Sequence, residues 1–306
     1  MIGSALVSVL RKRKGVQLFT ISRKPSNESG ATNFKADLRN EELVSAAVKS
    51  SKPDVVYHLA AELNESSPHL MEVNILGTRN LLKACRKNAP KALFVYPSSI
   101  GILEPEKGVV REHSKYAPMT AYQKSKVQAE LDVIGSGQPF VIMRAPVLIG
   151  PNVFWEHIFN AARKGHPLIG EGKNYWPLAY YKDFAEALAK VTKTPNPGHI
   201  FNFASKDQKT YKEIYALIRK ELGVKGEMKN VTPTMAYLAA ALYEAYCYIS
   251  GRKPSVTKTR ASIARLLRDS RVSTEKMSKA LKHSARHSIM QALKLTLKEL
   301  KAKGYR

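Results

Sequence analysis

The stretch that decides the fold is Ala92-Leu93-Phe94-Val95-Tyr96-Pro97-Ser98-Ser99, an apolar run that ends at two hydroxyl side chains. Its apolar residues do not alternate with polar ones, which is typical of a strand buried on both faces of a parallel sheet. Runs 54–60 and 140–144 have the same character, and helical patterns lie between the strands at 41–50, 71–87 and 120–134. This alternation predicts an α/β fold with helices on both faces of a parallel sheet.

The two ends of the chain extend this pattern. Ile2 to Leu10 has helical spacing with Gly15 as a stop, and 16–21 is predicted as a strand. Beyond residue 150 turns interrupt the pattern, which returns as a helix at 185–191 and a strand at 199–203. The remainder is mostly helical, and Ser273 is the predicted N-cap before a helical face that carries Met277, Leu281, Ile289, Leu293 and Leu300.

The charge is strongly positive, with a formal net charge of +25 over 306 residues. From Arg252 to Arg306 there are 16 Lys and Arg residues against three acidic ones, Asp269, Glu275 and Glu299. Such a surface attracts anions: a phosphorylated substrate, an acidic lipid surface or nucleic acid. No nucleic-acid motif accompanies it, so a solvated basic face is the simpler interpretation.

The cysteine and histidine positions and the hydropathy argue against a disulfide-rich, a metal-binding and a membrane-spanning protein. Cys85 and Cys247 stand far apart in apolar helical stretches, which predicts packed thiols in a reducing, cytoplasmic compartment. The eight His residues are scattered, so we expect no metal site. No apolar run is long enough to span a membrane. The segment 235–249 is expected to be a core or substrate-pocket helix, with an interfacial helix and peripheral membrane association as the alternative.

Candidate catalytic residues lie where a strand ends and the next helix begins. Tyr122 and Lys126 are four residues apart, so they share one face of a helix. A Lys ammonium beside a phenol favours the phenolate, which would lower the pKa of the Tyr122 side chain and let it exchange a proton. Catalytic groups in parallel sheets lie at the carboxyl ends of strands, where Ser99 falls. Its hydroxyl could hold a substrate oxygen against the phenol.

Taken together, these residues resemble the extended short-chain dehydrogenase/reductase family, which includes nucleotide-sugar epimerases and dehydratases, dihydroflavonol reductases and 3β-hydroxysteroid dehydrogenases. The resemblance rests on an ordered series of motifs: Arg23, Ala36-Asp37-Leu38, His58-Leu59-Ala60-Ala61, Asn74 with Gly77-Thr78-Arg79-Asn80, Ser98-Ser99, Tyr122 with Lys126, and Arg144-Ala145-Pro146 before Gly150-Pro151. It implies a Rossmann-like doubly wound sheet. The dinucleotide-binding domain would comprise 1–150 and about 178–205, and a smaller, mostly helical substrate region would comprise 151–177 and 206–306.

The resemblance also implies roles for individual residues. Tyr122 would be the general acid/base, Ser99 would orient the substrate oxygen, and Lys126 would bind the nicotinamide ribose and lower the pKa of Tyr122. The implied cofactor contacts are Gly3, Arg23, Asp37, Leu38, Ala60, Ala61, Asn74, Tyr122 and Lys126. Two alternatives remain open: Asp37 as a helix-capping carboxylate, and Asn74 as a buried polar staple. Arg23 stands where an acidic residue would accept ribose hydroxyls, so NADP(H) is preferred over NAD.

The sequence departs from the family at its start. The family begins with a strand and a turn that carries three glycines, whereas here Gly3 matches only the last glycine and Ile2–Leu10 is already the following helix. That strand normally lies mid-sheet, and its loop receives the pyrophosphate. We therefore expect that Met1 is an internal or misassigned start and that about ten residues precede it.

The substrate and the reaction stay open at this point. The tail motif 251–257, Lys279-Ala280-Leu281 and Gly304-Tyr305 resemble the reductase and hydroxysteroid branch and favour an apolar substrate, whereas the basic surplus favours an anionic one. The first hypothesis is an NAD(P)-dependent oxidoreductase acting on a secondary alcohol or ketone. The alternatives are a nucleotide-sugar epimerase or dehydratase, and a non-catalytic scaffold or RNA-associated protein. A homodimer through 71–87 and 120–134 is compatible with the sequence but not required by it.

Overall fold

The structure is a computed structural model that describes residues 1–24, 30–193, 197–255 and 258–305. Within these ranges the α-helices are α1 (Ile2–Leu10), α2 (Glu41–Ser51), α3 (Gly77–Asn88), α4 (Ala121–Ile134), α5 (Val153–Arg163), α6 (Tyr181–Lys190), α7 (Tyr211–Glu221), α8 (Pro233–Ile249), α9 (Arg260–Leu267), α10 (Glu275–Leu281) and α11 (Ile289–Ala302). The strands are β1 (Leu18–Ser22), β2 (Ala31–Lys35), β3 (Val55–Tyr57), β4 (Leu93–Ser99), β5 (Val109–Val110), β6 (Phe140–Ala145), β7 (Val147–Ile149), β8 (Leu168–Ile169), β9 (Leu178–Tyr180), β10 (His199–Asn202), β11 (Asn230–Val231) and β12 (Arg271–Val272). A π-helical turn, Glu72–Leu76, leads directly into α3.

The main sheet has four parallel strands in the order β10-β6-β4-β3. Alternate residues of its central strands face opposite ways. Phe94 and Tyr96 pack with α2, α3 and α4, whereas Val95 packs with α1 and α6. Helices therefore cover both faces, and the predicted doubly wound α/β fold is confirmed.

The sheet is divided where the family's first strand would lie. Among the strands that the structure describes, β1 and β2 pair only with each other, in parallel, and form a separate two-stranded sheet. β3 ends the main sheet, and no described strand pairs with its outer edge. Leu18 of β1 and Val55 of β3 both pack against the core to which Leu6 of α1 belongs, so α1 bridges the two sheets.

A second core belongs to the region beyond residue 148. Trp155 and Phe159 of α5 pack there with α7 and α11, and β7 pairs with β9 beside them. The short parallel pair β5–β12 connects this part with the segment that follows β4, whereas the pair β8–β11 lies within this part. The domain boundaries stay a prediction.

Several predicted details are corrected by the structure. The strand 31–35 was not predicted, and Ser273 is not an N-cap: Thr274 precedes α10, while Ser288 caps a separate α11 with its side chain. The predicted strand 54–60 is shortened to three residues. The core interpretation of 235–249 is wrong, because only Ala240 and Cys247 of α8 are buried. Val256 and Thr257 of the tail motif lie outside the described residues.

Both cysteines are free and buried, as predicted. No helix in the described part of the chain combines the length and apolarity needed to cross a bilayer.

Candidate active site

The carboxyl end of β4 supplies two hydroxyl groups with different surroundings. Ser99 is half-buried, and its Oγ accepts a hydrogen bond from Gly101 N at 3.1 Å, which starts a single 3₁₀ turn. Ser98 is buried, and its Oγ has no hydrogen-bond partner among the described residues. Ser99 is therefore at the surface of the sheet edge, where a substrate oxygen could reach it.

The helix α4 begins beside this strand end and carries the predicted Tyr and Lys. A capping box fixes its start, because Thr120 Oγ1 accepts from Gln123 N and the Gln123 side chain returns to Thr120 N. Lys126 Nζ donates to Pro97 O at 2.7 Å and lies 4.2 Å from the centre of the Tyr96 ring. The ammonium is thus held against β4, two residues before Ser99.

The turn after Ser99 packs closely on the first turn of α4. A Cβ atom at Gly101 would lie 3.0 Å from Gln123 Nε2 and 3.4 Å from Ser99 Oγ, so a larger residue would displace one of them. Gln123 is the neighbour of Tyr122. Glycine at this position therefore permits the close approach between the hydroxyl and the helix that carries the phenol.

The protonation of the Tyr and Lys differs from the prediction. Burial raises the pKa of Tyr122 to about 12, and the negative charge of Glu65 acts in the same direction. Burial lowers the pKa of Lys126 to about 7, against an opposing effect of Glu130. The expected lowering of the Tyr122 pKa is therefore wrong for this structure, because burial of the phenol and the charge of Glu65 raise it instead. At neutral pH the phenol is protonated.

A buried polar network holds α4 to the neighbouring loop. Asn74 lies in the π-helical turn and donates to Ser125 Oγ at 2.9 Å and to Glu62 O at 3.0 Å, while its Oδ1 accepts from Glu62 N at 2.7 Å. Both Oδ1 and Nδ2 of Asn74 therefore take part in joining these segments. The polar-staple interpretation of Asn74 is thus the one that the contacts favour.

His58 and Glu65 were not predicted as site residues, although Lys126 acts electrostatically on His58 and Glu65 acts on Tyr122. His58 Nε2 lies 2.8 Å from Thr78 Oγ1, and burial, followed by the charge of Lys126, lowers the pKa of His58 to about 3. Glu65 raises the pKa of Tyr122. His58 is a polar residue inside the apolar run 54–60, which was the available signal, whereas Glu65 lies in a loop without any sequence signature.

The predicted adenine end of the site is built around one ion pair. Both oxygens of Asp37 accept from the Arg39 guanidinium, at 3.1 and 2.9 Å, and Arg39 also reaches Glu72. The pKa of Asp37 is lowered to about 2, chiefly by Arg39 and to a smaller extent by Arg23. Asp37 does not cap a helix, since Asn40 is the N-cap of α2. Arg23 is exposed and close enough to influence Asp37, and Leu38 packs on Gly77.

The remaining predicted residues lie between these two ends. Gly3, in the first turn of α1, faces the side chain of Leu59, to which a Cβ would approach within 3.8 Å. Ala60 and Ala61 follow Leu59 directly after β3, with Ala60 exposed and Ala61 half-buried. The small residues thus border the amino end of α1, where backbone N–H groups favour a phosphate.

The donor set fits a nicotinamide dinucleotide. A phenol, an ammonium and a hydroxyl border one end, small residues and a helix amino end follow, and an exposed guanidinium marks the other end. Two cavities elsewhere, about 570 Å³ at the amino ends of β1 and β2 and about 450 Å³ beside Tyr305, contain none of these residues in their linings. Within the described ranges there is also no cluster of three or more His, Cys, Asp or Glu that could hold a metal ion.

Comparison with known proteins identifies the family to which the chain is similar. The profile of the NAD dependent epimerase/dehydratase family matches residues 1–204. The sterol-4-alpha-carboxylate 3-dehydrogenase (decarboxylating) of Saccharomyces cerevisiae is 27% identical over 289 residues, which cover 86% of this chain and 81% of that protein. The N-acetyl-alpha-D-glucosaminyl-diphospho-ditrans,octacis-undecaprenol 4-epimerase of Escherichia coli O157:H7 is 26% identical, over 73% of this chain and 71% of that protein.

Other matches cover only part of longer proteins, and the solved structures are matched at lower sequence identity. The chain spans 31% and 33% of the length of two Arabidopsis thaliana proteins to which it is 27% identical. The crystal structure of dTDP-glucose 4,6-dehydratase from Bacillus anthracis in complex with NAD superimposes with a TM-score of 0.76 at 19% identity, over 100% of this chain and 96% of that one. At this identity the superposition establishes the fold.

Proposed function

Because the chain belongs to the NAD-dependent epimerase/dehydratase family, an enzyme family of the extended short-chain dehydrogenase/reductase type, we propose that it is an NAD(P)-dependent oxidoreductase that interconverts a secondary alcohol and a ketone. The observation that carries the proposal is the packing of α4 on the end of β4. Lys126 Nζ bonds Pro97 O at 2.7 Å, Ser99 follows two residues later, and Tyr122 precedes Lys126 by one helical turn. These groups are the ones that oxidation of a carbinol requires.

Each residue would have a distinct part in the proton transfer. The Ser99 hydroxyl would hold the substrate oxygen, and the Tyr122 phenol would donate a proton to a ketone or accept one from an alcohol. Since the pKa of Tyr122 is raised to about 12, the phenol holds at neutral pH the proton that a ketone would receive. A charged Lys126 would stabilise the phenolate that remains after the transfer. The nicotinamide, when bound, supplies or accepts the hydride.

The proposed cofactor is NADP(H), with NAD as the alternative. Arg23 is exposed beside the Asp37 carboxylate, and a guanidinium there would bind a 2′-phosphate in a charge-assisted contact. Leu38 and Asp37 would flank the adenine, while Gly3, Ala60 and Ala61 would follow the phosphates. Asn74 would act through the Glu62 loop, since its amide is engaged by Glu62 and Ser125.

The first candidate substrate is an apolar cyclic alcohol or ketone, which the relative named for a sterol carboxylate supports over most of the chain. A nucleotide-linked or diphosphate-linked sugar is the second candidate, which the 4-epimerase relative supports. A homodimer is proposed through α3 and α4, because the apolar residues Leu131 and Ile134 of α4 and Leu76 of the π-helical turn before α3 are exposed. We further propose a cytoplasmic location.

The test is a turnover assay with NADPH or NADH and a panel of steroid ketones, aliphatic ketones and UDP-sugars. We expect net oxidation of NADPH by a ketone, and a fall in kcat/KM of about 100-fold or more in Tyr122→Phe. Binding of NADPH, followed by fluorescence, should stay within a few-fold. Tyr305→Phe, far from α4, is the matched control. Conversion of a UDP-sugar without net change in reduced cofactor would favour the epimerase alternative, and wild-type rates in Tyr122→Phe would refute the assigned role.

A further inference from the structure

One side of α8 is apolar and exposed along its whole length. Met235, Leu238, Leu242, Tyr246 and Ile249 are separated by three or four residues, so they form a single stripe on one helix face. These side chains are between 53% and 85% exposed. The opposite face attaches the helix to the protein through Ala240, Cys247 and contacts with α9. We call the five exposed residues the α8 stripe. Soluble proteins rarely expose contiguous apolar patches without a function.

Cations surround the carboxyl end of the α8 stripe. Arg252 lies over the Tyr246 ring at 5.7 Å and donates to its hydroxyl at 3.0 Å, and Lys253 follows it. From Thr232 to Arg260 the only acidic residue is Glu244, against four basic ones: Arg252, Lys253, Lys258 and Arg260. Helices that lie in a membrane interface combine an exposed apolar face with nearby cations, and here the cations follow the helix rather than occupy its polar face.

We propose that the α8 stripe docks on an anionic phospholipid bilayer, with α8 lying in the headgroup region and the cations at its carboxyl end contacting lipid phosphates. Each large apolar side chain of the stripe would leave water, and each cation near the surface would add an attraction that salt screens. No membrane crossing is required, which agrees with the helices that the structure describes.

Local charge argues against a second copy of this chain as the occupant. Two copies facing each other through α8 would bring two sets of four cations together with only two carboxylates, both from Glu244. The Glu244 carboxylate already accepts from Arg260 Nε at 2.7 Å. An anionic surface neutralises the remaining positive charge, whereas a second copy would double it.

The proposed surface adjoins the candidate active site. Lys253 Nζ donates to Ser66 O at 3.2 Å, and Arg265 of α9 lies 3.9 Å from Glu65. Glu65 in turn acts on the phenol of Tyr122. Loop 62–67, with the exposed Leu63, therefore connects the α8–α9 unit to the catalytic helix. If the proposed function holds, the enzyme would take an apolar substrate from the bilayer on which it is docked.

The experiment is sedimentation of the full chain with vesicles, without substrate or cofactor. One vesicle is phosphatidylcholine alone, and the other contains about one third phosphatidylglycerol. We expect binding to the anionic vesicle that is weakened by salt, and a loss of at least about tenfold in Leu238→Glu/Leu242→Glu. Arg252→Gln/Lys253→Gln should lose about tenfold or more on the anionic vesicle alone. Leu43→Glu, an exposed leucine on α2, is the matched control and should bind like the wild type.

Three outcomes would overturn the proposal: no binding of wild type to either vesicle, equal binding by Leu238→Glu/Leu242→Glu, or self-association in solution that the same double variant abolishes. The last outcome would assign the α8 stripe to a second copy. Circular dichroism of each variant checks that it folds. Turnover of a vesicle-borne ketone is measured separately, so that vesicle binding without turnover would count against the proposed function and leave docking intact.

Discussion

Two pairs of strands in this protein, β4 with β6 and β1 with β3, differ in how completely they are covered. β4 and β6 have a neighbour on each side, and most of their residues are buried. β1 and β3 each have a neighbour on one side only, and all of their residues are half-exposed. The proposed catalytic residues lie at the end of β4 or on α4, which packs against it, whereas Arg23 and Ala60 follow β1 and β3 and Asp37 follows β2.

This difference indicates that the two parts of the fold differ in local stability. The residues that flank β3 form backbone hydrogen bonds with β4: Asp54 O accepts from Leu93 N, and His58 N donates to Val95 O. Because bonded residues alternate along a parallel strand, the amides of Val55 and Tyr57 lie on the outer edge, where no described strand pairs with them. Helix α1 and its apolar core are the main bridge from β3 to β1. We therefore expect the part with β4, β6 and α4, called the catalytic half, to be more stable against local unfolding than the part with β1, β2 and β3, called the cofactor half.

The largest expected effect is the loss of the buried ion pair in the catalytic half. Arg144 and Glu130 are almost fully buried, and their side chains make hydrogen bonds at 2.8 and 3.0 Å. Arg144→Met would leave Glu130 without its cation, at a cost of about 3–5 kcal/mol in the free energy of unfolding. Urea denaturation measures the change.

Two further variants sharpen that result. Arg144→Met/Glu130→Leu removes both charges and should cost less than the single change, because no isolated charge stays buried. Arg79→Met breaks the exposed pair between Arg79 and Asp132 and should have little effect. A single variant as stable as the wild type would contradict the firm packing assigned to this half.

The second effect is a pH dependence that Lys126 confers on stability. Its pKa is about 7 in the folded protein against 10.5 as the ordinary value, so between these pH values the unfolded chain binds more protons. The free energy of unfolding should therefore rise with pH across this range, by roughly 2–4 kcal/mol more in the wild type than in Lys126→Met. Urea titrations of both proteins at several pH values give the difference, and parallel curves would show that Lys126 is solvated.

Much of the covered half could be predicted from the sequence, because continuous apolar runs mark strands with neighbours on both sides. The bounds of β4, β6 and α4 lie within one residue of the stretches 92–99, 140–144 and 120–134 that the sequence indicates. β2, in contrast, has a mixed pattern and a single neighbour, and it was not predicted. Apolar composition alone also did not show that the α8 stripe faces outward, since a core helix has similar residues.

The site was predictable as a set of residues but not as a set of ionisation states. Tyr122, Lys126 and Ser99 are recognisable by spacing and position. The pKa of Lys126 depends on burial against Pro97 and Tyr96, and that of Tyr122 depends on burial and Glu65. These surroundings come from three separate segments, which no local pattern connects.

The third effect is a difference in local opening between the halves. We expect amides of β1 and β2 to exchange with deuterium at least about tenfold faster than those of β4 and β6, because fewer neighbours must separate. Mass spectrometry of peptides from each strand measures this. Saturating NADPH should slow exchange in β1 and β2 more than in β4. Equal protection in all four strands would remove the basis for treating the halves as different.

The smallest effect concerns the choice of cofactor at the less covered end. Arg23→Glu would place a carboxylate beside Asp37 and Arg39, where it would repel a 2′-phosphate and accept ribose hydroxyls. We expect the ratio of NADPH to NADH affinity to fall by about tenfold or more, a change of about 1.4 kcal/mol. Fluorescence titration of both cofactors measures the ratio. Lys49→Glu, on the exposed side of α2, makes the same change in net charge and should leave the ratio unaltered. If both variants shift the ratio equally, overall charge rather than Arg23 sets the preference, and the adenine end assigned to β1 must lie elsewhere.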